Sequence, residues 1–328
     1  MTRPQPLGLK TATCLLAVLL TVGGLLLWLD KTQAQAGAWV LLLLSVSVGF
    51  IHGALDAILL PQRFNSRALA ALMFVAYLLA VLVLGWLLSA NISWALWALL
   101  IMSAWHFGEP YRRWGGRWNG LSAWQSGLTR TVVGGAPVML PVWLAPDLLA
   151  SVLYQAVPAI ALQGWHGLAW LWLALLVVWL LTCGLGRLRP VHGLRFAWLE
   201  LLGCAALYAV FSPLMAFALY FGVYHAPVHI WRVWRGWTAQ HAQKAQSAPP
   251  STITSTTAMY AVAGTTALSW LLGASLWWLL GAGTATAPDG LETARWLSWL
   301  IVAFAALTAP HLVVISLSET FLTKNNRR

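Results

Sequence analysis

Apolar residues run along this chain in blocks, and polar or charged residues are confined to the short intervals between them. A helix rises about 1.5 Å per residue, so roughly 20 apolar residues cross a hydrocarbon core of about 30 Å. Ten blocks of that kind are read from the sequence, at about 11–29, 38–60, 68–89, 92–111, 121–144, 165–184, 196–212, 214–237, 258–281 and 294–318. The pattern predicts an all-α chain: a polytopic transmembrane helical bundle of about ten spans, forming a single integral membrane domain over residues 1–328.

The intervals set the direction of each span. Arg3 and Lys10 precede the first block, Arg63 and Arg67 follow the second, and Arg112, Arg113 and Arg117 follow the fourth. Arg187, Arg189 and Arg195 follow the sixth, Arg232, Arg235 and Lys244 lie around the end of the eighth, and Lys324, Arg327 and Arg328 follow the tenth. The alternate intervals carry only Lys31 beside Asp30, and Arg295 near Asp289 and Glu292. Basic intervals face the cytoplasm, so this alternation predicts a multi-pass protein of the inner (cytoplasmic) membrane with both termini inside.

Three segments modify this picture. The first block, followed by Ala34-Gln35-Ala36, also reads as a signal peptide, although its length favours a retained helix. In the fifth, Gly134-Gly135-Ala136-Pro137 and Pro141 are expected to interrupt the helix, beside an intramembrane Arg130, and to line or kink around a cavity. Residues 150–163 suggest an interfacial helix, and 247–257, with Pro249-Pro250, a flexible cytoplasmic loop.

Composition excludes other classes. The chain is 60% hydrophobic and 8% charged, where about a quarter charged is usual for a soluble domain. Its formal charge of +11 is scattered through the intervals and forms no stripe, so no nucleic-acid partner is expected. Cys14, Cys183 and Cys204 make no paired spacing and read as packing residues.

The candidate chemistry is carried by histidine. His225 and His229, four residues apart, share one face of a helix, with Pro227 between them as a source of a kink. Two imidazoles so placed can offer two nitrogens to one ion if further ligands arrive from other helices. His192 and His241 fall in expected cytoplasmic loops and His166 at the outer end of a span. The other five, His52, His106, His225, His229 and His311, fall in spans two, four, eight and ten. These spans run in the same direction, which places all five in one cytoplasmic-side slab of the bilayer and predicts a buried metal centre.

Carboxylates follow two of the histidines by one turn: Asp56 after His52, and Glu109 after His106. A metal-bound imidazole gives its second ring N–H to such a group, so both are expected to support the ligands, with direct ligation as the alternative. Glu109 has a rival reading as a partner of Arg112 or Arg113, and Glu200 is a weaker candidate for support. Gly53, Gly108 and Gly222 would let helices or a long ligand approach closely. Several neutral imidazoles without cysteine suit iron, zinc or copper. A centre within the bilayer implies a lipid-soluble substrate, for which Trp105, Tyr224, Trp231 and Trp234 are candidate lining residues.

His52-Gly-Ala-Leu-Asp56, His106-Phe-Gly-Glu109, Tyr220-Phe221 with His225-x-x-x-His229, and Pro310-His311-Leu-Val-Val together resemble the Brp/Blh family of membrane β-carotene central-cleavage dioxygenases, from about span two to span ten. The resemblance implies iron(II) held by His52, His106, His225 and His229. It also implies O2 as co-substrate and two retinals as products, with a rhodopsin as retinal acceptor. It leaves His311 as a fifth ligand, a support for the ligands or a substrate contact. Glu109 is followed here by Pro110-Tyr111, a departure from the family pattern that bears on substrate, so another carotenoid or an apocarotenoid is the alternative. Two other classes use intramembrane histidines: a haem-binding electron carrier and a proton-relay transporter.

Overall fold

The computed structural model describes residues 45–60, 64, 66–109, 111, 121–144, 146, 159–184, 192–245, 255–281, 299 and 301–315. Among these, every regular element is helical. In chain order they are α1 (Ser45–Leu59), α2 (Arg67–Ser89), α3 (Ile92–Phe107), α4 (Ala123–Leu144) and α5 (Ala159–Trp179), the last continued by a π turn (Leu180–Gly184). There follow α6 (His192–Val210), α7 (Pro213–Leu219), a second π turn (Tyr220–His225), α8 (Ala226–Ala245), α9 (Ser255–Gly281) and α10 (Ile301–Ile315). Helices therefore stand where the second to tenth apolar blocks predict them; the first block, with its signal-peptide alternative, lies outside the described residues.

Among the described residues two stretches, Ala68–Ser89 and Gln163–Cys183, are long and apolar enough to cross a membrane, and Ser45–Leu59, Ile92–Phe107 and Ile301–Ile315 are shorter apolar helices. Their outward faces are apolar too. On α2, Leu72, Val75, Leu79, Val83 and Trp86 are exposed, as are Trp170 and Leu171 on α5 and Leu181 in the π turn that continues it. Contiguous apolar surface of this kind suits a lipid or protein environment rather than water.

The chain divides into two compact units. One comprises Met1–Leu82, Ala218–Ser275 and Pro310–Arg328, and the other Val83–Phe217 and Leu276–Ala309.

In the second unit, α3 begins at Asn91, whose side chain accepts from the Ser93 and Trp94 amides at 3.1 and 3.3 Å and so caps the helix. The interruption expected in the fifth block does not occur: α4 is unbroken, with Pro137 and Pro141 inside it. Pro141 has no N–H to give the carbonyl four residues back, and that carbonyl, of Pro137, instead accepts from the Tyr208 hydroxyl at 2.5 Å. Trp165, Trp172 and Trp179 recur at seven-residue intervals and so share a face of α5. Each indole N–H reaches α4 at 2.9 Å, meeting the Val138 carbonyl, the Val132 carbonyl and the Thr129 hydroxyl respectively. Small residues permit this proximity: a Cβ at Gly135 would strike the Trp172 ring, and one at Gly134 the α3 backbone at Ala104 and the adjoining Gly108.

Helix ends differ from the sequence reading. α5 already begins at Ala159, absorbing part of the expected interfacial helix, while 150–158 lie outside the described residues. His192 opens α6, and His241 lies within α8, so neither sits in a loop.

In the first unit, Leu55 and Ile58 of α1 pack with Trp237 of α8 and Ala258 of α9, flanked by Ile230, Val233 and Trp234. Phe50 meets Trp270 edge to face at 4.9 Å. The Ser45 hydroxyl donates to the Ala218 carbonyl at 2.8 Å, and Gly222 passes so close to Ser45 that a Cβ there would strike its side chain and Cα. These contacts fix α1 against the segment that carries two of the histidines.

Candidate metal centre

His225 ends the π turn. The amide of Ala226 bonds to the Phe221 carbonyl, five residues back, so the helix is locally widened just ahead of Pro227, which has no amide to give. π turns within helices occur often at functional sites. The His225 and His229 rings nevertheless lie side by side, with centroids 6.4 Å apart and planes 25° apart.

His52, from α1, stands against both, with ring centroids 5.5 Å from His225 and 4.1 Å from His229. His311, from α10, completes the group at 4.8 Å from His52 and 5.6 Å from His229. His52, His229 and His311 each bring a ring nitrogen within 4.8 Å of the others. His52, His225 and His311 are buried.

Two hydrogen-bond distances define the chemistry. His311 Nδ1 lies 2.9 Å from Asp56 Oδ2, and His311 Nε2 lies 3.1 Å from His52 Nε2. A carboxylate oxygen accepting at this contact places the proton on Nδ1 of His311 and leaves Nε2 as an acceptor. That is the arrangement in which a carboxylate orients a metal-ligating histidine. The separation of the two Nε2 atoms also fits a shared ion: nitrogens bound at about 2.1 Å and a right angle to one another are about 3 Å apart. The donor set and its spacing therefore fit a first-row transition metal.

Asp56, expected to support His52 one turn away, supports His311 from another helix instead.

The remaining candidates fall as follows. His106 lies in the second unit, buried on α3, with its ring 6.0 Å from that of Phe107. Glu109, in the same unit, is buried, and its Oε2 accepts from Arg130 Nη2 at 2.5 Å; Arg112 and Arg113 lie outside the described residues. Arg130 also donates to the Trp105 carbonyl from Nε and Nη2, at 3.4 and 3.3 Å, and lies 3.4 Å over the Trp105 ring. Trp105, half exposed, thus carries a guanidinium on its face. Glu200 accepts from the Tyr111 hydroxyl.

Tyr224 is half-buried with its ring 5.7 Å from Tyr220, and Trp231 is 39% exposed, with Arg235 stacked at 4.8 Å. Trp234 packs on Trp237 at 5.3 Å. Of the three glycines expected at close approaches, Gly108 and Gly222 have no room for a Cβ, whereas Gly53 has open space within 4 Å.

A family model described as beta-carotene 15,15'-dioxygenase matches residues 43–319. No curated protein and no solved structure matches the chain.

Proposed function

Because the chain belongs to the β-carotene 15,15'-dioxygenase family, we propose that it cleaves β-carotene at its central double bond with O2 and a histidine-held iron(II), giving two retinals. The observation that carries this reading is the convergence of His52, His229 and His311 nitrogens within 4.8 Å, in a pocket where Asp56 fixes the proton of one of them. His225, packed against His52, belongs to the same ligand set in this reading. His311 joins it as a ligand because its Nε2 is turned to His52 and its Nδ1 is occupied. His106 is included on the sequence resemblance.

Iron(II) held there supplies the activation of O2, which side chains cannot provide. The cleavage breaks one carbon–carbon double bond and forms two aldehydes, with both oxygen atoms retained. No net proton or electron is required, so no side chain has to act as acid, base or reductant. The residues of this chain instead place the reactants. Asp56 holds the His311 proton on Nδ1 and keeps Nε2 available. Burial of His52, His225 and His311 keeps bulk water from the centre. The Ser45–Ala218 bond and the close approach at Gly222 hold α1 in register with the π turn.

In this reading the protein crosses the inner membrane about ten times with both termini in the cytoplasm, and β-carotene enters from the lipid. The apolar outward faces of α2 and α5 and the alternation of basic intervals support that arrangement. Retinal then leaves through the bilayer to a rhodopsin.

The test is direct. Iron(II)-loaded protein in detergent, given β-carotene under oxygen, is expected to yield retinal, and His52→Ala to yield none. Intact β-carotene beside a working cleavage enzyme overturns the reading, and longer apocarotenals in place of retinal overturn the central position.

A further inference from the structure

We infer that Phe221 is a positioning residue for the metal centre, fixing the rings of His52 and His225 relative to one another; this rests on the metal reading above. Phe221 is buried in the π turn, and its ring pairs with a histidine from each of two segments. Its centroid lies 6.2 Å from that of His52 on α1, with planes 52° apart. It lies 6.1 Å from that of His225, with planes 17° apart. The two imidazoles are themselves 5.5 Å apart at 36°. Three rings so spaced form a nearly equilateral group, and each separation falls in the range over which aromatic rings attract one another.

The backbone produces this grouping. The Phe221 carbonyl accepts from the Ala226 amide, so Phe221 and His225 flank the widened part of the turn. The next residue, Gly222, lies against Ser45, and Ser45 and His52 are seven residues apart on α1 and share its face. The face of α1 that meets the π turn is therefore the face that carries His52. A ligating imidazole must turn a nitrogen toward the ion, yet the torsion that orients its ring has broad minima of its own. His311 is held by its hydrogen bond to Asp56. For His52 and His225 a flat ring packed against both, all within the first unit, restricts the same torsion and prepares the ligands before the ion arrives.

The experiment measures iron(II) affinity of the full-length protein in detergent by competition with a colorimetric chelator, and the visible absorption of the cobalt(II)-loaded protein, whose bands follow ligand geometry. Phe221→Leu keeps the apolar character but not the flat ring. It is expected to weaken iron(II) binding about tenfold, the scale of two ring pairs toward the low end of their usual strength, and to shift the cobalt(II) bands. Should the leucine variant not fold, Phe221→Met takes its place with the same expected outcome. Phe221→Tyr keeps the ring and is expected to match wild type in both measurements. Phe50→Leu removes a ring of the same unit that pairs with Trp270, and is expected to lower the thermal midpoint while leaving affinity and spectrum unchanged. Unchanged affinity and spectrum in Phe221→Leu, an equal loss in Phe50→Leu, or a tyrosine variant as impaired as the leucine one would overturn the assignment. A wild-type protein that takes up neither metal overturns the metal reading itself, a result separable from failure at Phe221 alone.

Discussion

His52 and His311 bring their Nε2 atoms to 3.1 Å although 259 positions separate them in the chain. Two neutral imidazoles approach so closely only by sharing a proton or by giving lone pairs to one cation. With Asp56 at Nδ1 of His311, the Nε2 of that ring faces His52, and in the proposed reading the two nitrogens share one cation. His52→Ala and His311→Ala are therefore each expected to lower bound iron to below about a tenth of wild type after dialysis, measured by elemental analysis, with helix content unchanged by circular dichroism.

Asp56→Asn retains the shape of the side chain but can turn an amide N–H toward His311 Nδ1. The ring is then no longer held in one tautomer. Iron(II) affinity is expected to fall by about 10- to 100-fold, the usual cost of removing such a partner, with thermal stability nearly preserved. Equal affinity in the two proteins would show that the carboxylate has no part in orienting the ligand.

The Arg130–Glu109 pair is buried in the second unit and is held by the Trp105 ring and carbonyl as well as by the carboxylate. Removing one partner deprives the other of its opposite charge in a buried setting, at a cost of about 3–5 kcal/mol. Glu109→Leu and Arg130→Met are each expected to lower the unfolding temperature in detergent. Combining the two substitutions removes both charges together and is expected to recover most of the lost stability. Additive losses in the double variant would show that the two charges act separately.

At Gly222 the neighbouring atoms are the Oγ, Cβ and Cα of Ser45, so part of the obstruction is backbone. Gly222→Val is expected to push α1 away from the π turn and abolish metal binding, and adding Ser45→Ala is expected not to restore it. At Gly53, next to His52, a methyl group meets nothing within 4 Å, so Gly53→Ala is expected to bind iron normally. Iron content of the three variants separates these outcomes.

Tyr208→Phe removes the donor that satisfies the Pro137 carbonyl inside α4. A buried acceptor left without a partner costs about 1–3 kcal/mol, expected as a lower thermal midpoint with the iron content of the folded protein unaltered.

The helices were legible because each apolar block is long and is bounded by charge or by Gly and Pro. Four of the histidines could be grouped because position along a helix can be counted from its ends: His52, His225, His229 and His311 lie together within one unit. What local sequence could not supply was partnership between distant segments. Pro137 and Pro141 announce a missing amide, but not that Tyr208 from another helix would satisfy the carbonyl. Glu109 suggests a nearby arginine, whereas its described partner, Arg130, comes from the next helix. Asp56 stands one turn from His52 in sequence yet bonds His311. The π turn was equally hidden, since Pro227 fixes a lost donor but not the wider turn that accommodates it.

That His311 comes after the other clustered histidines in chain order bears on biosynthesis. While the polypeptide is still emerging from the ribosome, His52, His225 and His229 are already made but the imidazole paired with Asp56 is not. The group formed by His52, His229 and His311 is complete only once translation has passed α10. A chain cut short before residue 311 would lack the ring that bridges Asp56 to His52.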